Sequence, residues 1–124
     1  MKSTLKMAVL AAAMGLLGMA CGGVGGAGTV SCATGTGSSL SCVEYNWTGV
    51  GYTDVWSAAC TQSGGTAGTG CSHAGAVGGC KVTVTSGSTS LSTTAWYYSG
   101  SASSLQSACT ASNGGGTTAT WLSP

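Results

Sequence analysis

Seven cysteines in a chain of 124 residues constrain the fold more than any other feature of this sequence. Small domains with few large apolar side chains commonly gain about 2–4 kcal/mol from each disulfide when they fold in an oxidising compartment. We predict three disulfides, formed by Cys32, Cys42, Cys60, Cys71, Cys80 and Cys109. The spacing does not determine the pairing, but we expect Cys60 and Cys109 each to link a helix to a strand or loop.

The first 20 residues have the pattern of a secretory signal peptide. Lys2 and Lys6 supply a basic start, and an uncharged apolar run follows from Met7 to Ala20. This run is shorter than the roughly 20 apolar residues that a membrane-spanning helix requires. The pattern therefore predicts export rather than a permanent transmembrane helix.

The seventh cysteine, Cys21, stands directly after this apolar run. The pair Ala20-Cys21 resembles the end of the bacterial lipobox, in which cleavage exposes a cysteine that carries a lipid. Leu17 lies one position further from the cysteine than the lipobox pattern has it, and Gly18 with Ala20 also suits ordinary signal-peptidase cleavage. We expect lipidation of Cys21, because it leaves an even number of cysteines for disulfides.

Three segments follow from these features: a signal peptide at 1–20, a flexible glycine-rich tether at 21–31 and a cysteine-stapled domain at 32–124. Charged residues make up only 4% of the chain, against roughly 25% in ordinary globular proteins. The chain after residue 20 retains Lys81, Glu44 and Asp54, a net side-chain charge of −1. Without a basic patch, nucleic-acid binding is excluded.

Clusters of aromatic and β-branched residues between glycine-rich stretches predict short strands. Val43, Tyr45 and Trp47 alternate with smaller or polar residues, as a half-buried strand requires. Thr53-Asp54 and Ser101 or Ser103 provide helix starts. The predicted strands are 42–48, 80–85, 94–98 and 117–122, and a loop spans 86–92. One helix is predicted at 54–63, and a second is capped by Ser101 or Ser103 and ends at Asn113-Gly114.

A register of 49 residues aligns Trp47 with Trp96 and Cys60 with Cys109. Tryptophan and cysteine are rare enough for these matches to indicate an internal repeat. The predicted fold class is therefore α+β: a small disulfide-stapled domain with a doubled strand-helix unit, built from an antiparallel hairpin and two short helices.

The titratable groups of the predicted domain are too few to indicate an enzyme. Its single histidine, His73, would have to act with Glu44 or Asp54, and no nucleophile motif accompanies them. Cys71, His73 and Cys80 lack the paired spacing of structural zinc sites. We predict no catalytic residue, no metal site and no cofactor.

The aromatic residues are the best candidates for binding a ligand, because tyrosine and tryptophan combine an apolar ring with a polar group. Trp47, Trp56 and Trp96 are expected in the core, since the chain has no phenylalanine. Tyr52, Tyr97 and Tyr98 are the predicted ligand-binding residues, with a glycan or a protein as partner.

Four segments resemble uncharacterised small cysteine-rich bacterial lipoproteins: Cys42-Val43-Glu44-Tyr45, Ala59-Cys60-Thr61-Gln62-Ser63-Gly64-Gly65-Thr66, Val77-Gly78-Gly79-Cys80 and Trp96-Tyr97-Tyr98-Ser99. The resemblance covers roughly residues 42–117. The resemblance carries over no catalytic residue. The signal-peptide pattern and Cys21 predict an exported envelope protein, on the bacterial outer membrane or cell surface if lipidated and otherwise periplasmic or extracellular. We expect a non-catalytic surface or structural role, with a carbohydrate-binding module and a small disulfide-fixed inhibitor as alternatives.

Overall fold

The computed structural model of the protein describes residues 25–50 and 53–124. This part of the chain forms one six-stranded antiparallel sheet with two short helices and a single 3-10 turn at Gly37–Ser39. The strands are β1 (Gly25–Thr34), β2 (Ser41–Val50), β3 (Thr66–Gly68), β4 (Gly78–Ser86), β5 (Thr89–Tyr97) and β6 (Thr117–Leu122). The helices are α1 (Thr53–Gln62) and α2 (Ala102–Thr110).

The sheet dominates the molecule, so the predicted α+β fold class with a doubled strand-helix unit is wrong. The strand order is β3-β1-β2-β5-β4-β6, with β2 and β5 paired at the centre. Strands β1 and β3 are not among the predicted strands, and β5 covers part of the predicted loop 86–92. In the structure β5 begins at Thr89, because the hairpin turns tightly around Gly87, whose φ of 60° favours glycine.

The tryptophans that the 49-residue register aligns, Trp47 and Trp96, do not occupy equivalent positions in the sheet. Trp47 lies opposite Leu91, whereas Trp96 lies opposite Cys42. Leu91 and Trp96 are five residues apart on β5 and therefore point to opposite faces, since side chains alternate along a strand. The two matched tryptophans consequently occupy different environments.

Strand β1 takes up most of the segment predicted as a flexible tether. It pairs with β2 from Gly25 onward, so residues 25–31 are part of the sheet rather than of a linker. Gly28 lies opposite Trp47, and a Cβ at this position would overlap the indole ring. Glycine at this position lets the β1 backbone approach the Trp47 ring closely. Composition alone does not show whether a glycine serves close packing or chain flexibility.

Both helices pack on the same face of the sheet, which we call the helix face. One buried cluster beneath α1 contains Val30, Trp47, Trp56 and Leu91, and Trp56 stacks on Tyr45 with ring centroids 4.2 Å apart. A second cluster beneath α2 contains Cys80, Val82, Cys109 and Ala119. Burial of these aromatic and aliphatic groups supplies the main apolar stabilisation of the domain.

The structure confirms three disulfides: Cys32–Cys60, Cys42–Cys71 and Cys80–Cys109. Cys60 and Cys109 link α1 to β1 and α2 to β4, as expected. Three disulfides fit a periplasmic or extracellular protein. Neither helix in the described part of the chain is long and apolar enough to cross a membrane.

The side chain of Asn113 covers part of the outer edge of β6. The Ala119 N–H donates to Asn113 Oδ1 at 2.6 Å, and the Ala119 carbonyl accepts from Asn113 Nδ2 at 3.1 Å. Gly114 and Thr117 exchange two backbone hydrogen bonds beside this contact. Backbone groups that an edge strand would otherwise present to another chain are thus occupied.

Replacing Gly28 with alanine should destabilise the domain by about 1–3 kcal/mol, because the added methyl group displaces the buried Trp47 ring. Gly70→Ala is the matched control, since a Cβ there would have Glu44 Oε1 as its nearest neighbour at 3.7 Å. Urea unfolding of both variants measures the difference. Equal losses of stability would contradict the role given to Gly28.

Candidate functional site

The face of the sheet opposite the helices, here called the open face, is lined by polar side chains. One row crosses five strands in direct register: Thr29, Asn46, Ser92, Thr83 and Thr118. Thr29 Oγ1 donates to Asn46 Oδ1 at 2.6 Å. The next row contains Ser31, Glu44, Thr94, Lys81 and Thr120, so hydroxyl groups outnumber charges on this face.

A loop of residues 69–77 crosses one end of the open face and is fixed there at several points. The Cys42–Cys71 disulfide joins it to β2, and the Cys71 N–H donates to Glu44 Oε1 at 2.7 Å. Ser31 Oγ contacts both the amide nitrogen and the carbonyl oxygen of Gly70 at 3.1 Å. The 69–77 loop is therefore attached to both β1 and β2.

Two aromatic contacts hold the middle of the 69–77 loop. The His73 ring stacks on Trp96 with centroids 3.9 Å apart, and Trp96 is only 3% exposed. The Tyr98 hydroxyl donates to the Ser72 carbonyl at 2.5 Å. Burial, and secondarily the charge of Glu44, raises the pKa of the Tyr98 phenol.

The three side chains His73, Tyr98 and Glu44 thus meet around the 69–77 loop. His73 is exposed, Tyr98 and Glu44 are partly exposed, and all three carry polar groups at the surface. Asp54 lies on α1, on the helix face, so the two carboxylates of the domain do not converge. The arrangement offers aromatic surface and hydrogen-bonding groups, the chemistry of a binding site.

The described residues hold no cluster of three or more histidine, cysteine or acidic side chains that would suit a metal ion. Cys71 and Cys80, which flank His73 in the sequence, belong to different disulfides. Their sulfur atoms are thereby committed to covalent bonds rather than to metal coordination.

The three predicted ligand-binding tyrosines do not form one site. Tyr98 lies at the 69–77 loop, whereas Tyr97 points to the helix face and stacks on Trp121 at a centroid distance of 6.3 Å. Burial raises the pKa of the Tyr97 phenol. Tyr52 and the predicted lipidation site Cys21 lie outside the described residues.

Glu44 and His73 are not among the ligand-binding residues that the sequence predicts. Each stands two residues after a cysteine of the same disulfide, Glu44 after Cys42 and His73 after Cys71. Residues two apart on a strand share a face, so the pairing Cys42–Cys71 brings these groups toward one surface. Knowledge of that pairing was the missing signal.

The double variant Cys42→Ala/Cys71→Ala should release the 69–77 loop and expose Trp96. We expect a red shift of tryptophan fluorescence and rapid proteolysis between residues 72 and 75. The free energy of unfolding should fall by about 3–4 kcal/mol, because the unfolded chain is no longer constrained by this disulfide. Fluorescence, limited proteolysis and urea unfolding measure these changes.

The matched control is Cys32→Ala/Cys60→Ala, whose cysteines are 28 residues apart against 29 for Cys42 and Cys71. It should lose similar stability while keeping the loop protected. Equal proteolysis of the loop in both double variants would contradict the assignment of Cys42–Cys71 to loop attachment.

Comparisons with known proteins do not assign the chain to a family. No protein-family model, no curated protein and no solved structure matches it. The resemblance to small cysteine-rich lipoproteins therefore stays a prediction, and function has to be argued from the chemistry of the site.

Proposed function

We propose that this chain is an exported bacterial envelope protein, anchored by a lipid on Cys21, whose disulfide-bonded domain binds a partner and does not catalyse a reaction. One observation carries the proposal: the six cysteines between residues 32 and 109 pair entirely with one another. The site of action is the outer membrane or the cell surface.

The pairing of six cysteines supports both export and lipidation. Three structural disulfides require an oxidising compartment, which agrees with the signal-peptide pattern of residues 1–20. Cys21 then has no cysteine left in the chain with which to form a disulfide. A thioether-linked lipid gives this seventh thiol a chemical role and removes a reactive group from the exported protein.

The surroundings of the titratable groups support binding rather than catalysis. Glu44 accepts a hydrogen bond from the Cys71 N–H, and His73 packs its ring against Trp96. Both groups therefore serve to hold the 69–77 loop in place. Their exposed portions, together with Tyr98, are available to a partner.

Intact-mass measurement of the protein from its native membrane fraction tests the proposal. The mature chain should begin at Cys21, carry the mass of a diacylglyceryl group, and gain six hydrogens on reduction because three disulfides open. The control Cys21→Ser should lose the lipid and leave the membrane fraction. A mature chain that begins after Cys21, or free thiols at the other six cysteines, would contradict the proposal.

Glycan binding at the 69–77 loop is the second candidate function. The observation that favours it is the position of Tyr98 and His73 beside Glu44, since aromatic rings stack on sugars and carboxylates accept hydrogen bonds from sugar hydroxyls. The disulfide fixes this surface before binding and so lowers the entropy lost on association.

A glycan array probed with the intact domain and with Tyr98→Ala tests this candidate. We expect any bound glycan to lose most of its signal in Tyr98→Ala and to keep it in Thr120→Ala, which changes an exposed hydroxyl on the edge strand β6. Equal signals from the two variants would exclude Tyr98 as a sugar contact. Protease inhibition lost in Cys42→Ala/Cys71→Ala would instead favour the inhibitor alternative.

A further inference from the structure

The distance between the proposed lipid and the folded domain is very short. Strand β1 begins at Gly25, so only residues 22–24 separate it from Cys21. Four consecutive Cα–Cα steps span at most about 14 Å even when the chain is fully extended. A lipid on Cys21 would therefore keep the beginning of β1 within this distance of the bilayer surface.

The strand pairing identifies which part of the domain is close to Gly25. Gly25 lies opposite Val50, and Thr53, three residues further, begins α1. Because β2, β5 and β4 are antiparallel neighbours, the turn at 86–89 is at the same end of the sheet, as are residues 114–117 before β6. We call this the anchor end.

The anchor end has the composition of a surface that can enter the lipid headgroup region without desolvating many charges. Val55, in the first turn of α1, is 47% exposed and is the one large apolar side chain that is exposed among the described residues. Its neighbour Asp54 is the single charged residue at this end within the part of the chain that the structure describes. Residues 86–89 and 114–117 at this end consist of serine, threonine and glycine.

The 69–77 loop lies toward the opposite end of the sheet. Its disulfide partner Cys42 is eight residues along β2 from Val50, a distance of roughly 26 Å in an extended strand. The 3-10 turn at Gly37–Ser39 lies beyond it, where the Ser38 carbonyl accepts a hydrogen bond from Ser99 Oγ. We call this the distal end.

We propose that the anchor end rests on the bilayer surface with Val55 in the headgroup region, so that the strands rise from the membrane and the 69–77 loop faces outward. This orientation rests on the lipidation of Cys21 proposed above. Because the spacer is short, the tether holds the anchor end at a high effective concentration near lipid, and a weak contact through Val55 is enough to keep it there.

Site-specific photocrosslinking tests the orientation. The photoreactive residue p-benzoylphenylalanine is placed at Val55 in one variant and at Ser38 in another, and each lipidated protein is reconstituted in vesicles of phosphatidylethanolamine and phosphatidylglycerol. Both positions are exposed, and they lie at opposite ends of the sheet. We expect about tenfold more lipid adduct at Val55 than at Ser38, measured by intact mass.

A third variant lengthens the spacer by inserting fifteen glycine and serine residues between Gly23 and Val24 in the Val55 photocrosslinking protein. Its adduct yield should fall toward that of Ser38, and an unchanged yield would overturn the role given to the short spacer. Equal adducts at Val55 and Ser38, with lipid present on Cys21, would overturn the orientation and leave the lipid anchor standing. An unmodified Cys21 would overturn both proposals.

Discussion

Tryptophan rings of the two central strands pack closely against glycines of the neighbouring strands β1 and β4. Trp47 packs over Gly28 of β1 on the helix face, and Trp96 packs over Gly79 of β4 on the open face. Each contact lets a large ring lie close to a backbone, which increases the apolar area that a small domain buries. Without phenylalanine, the chain depends on these few rings for its core.

Two of the three disulfides attach helices to the sheet, and the third attaches a surface loop. Cys32–Cys60 and Cys80–Cys109 fasten the two helices onto one face, where the core clusters lie. Cys42–Cys71 instead fastens a loop onto the other face, over Trp96 and beside Glu44. The candidate binding surface is thus supported by a rigid sheet but lies apart from the helix packing that stabilises it.

The sequence was most informative where local chemistry determines structure. Helix α1 lies within one residue of its predicted range, because Thr53-Asp54 and the glycines after Gln62 mark its ends. The glycine-rich β1 is not predicted because its glycines also suit a flexible segment, and the packing of Gly28 against Trp47 is visible only once the strand register is known. The roles of Glu44 and His73 were missed for a related reason: the register and the disulfide partner decide which residues share a face.

Asn113 has a further consequence under the proposed lipid anchor on Cys21. Lipid-anchored copies diffuse in two dimensions and collide far more often than copies free in solution, and strand edges of such copies would meet in repeatable orientations. By occupying both backbone groups of Ala119, the Asn113 amide removes part of the template that edge-to-edge growth requires. Under that proposal, the side chain favours separate domains in a crowded membrane layer over a continuous intermolecular sheet.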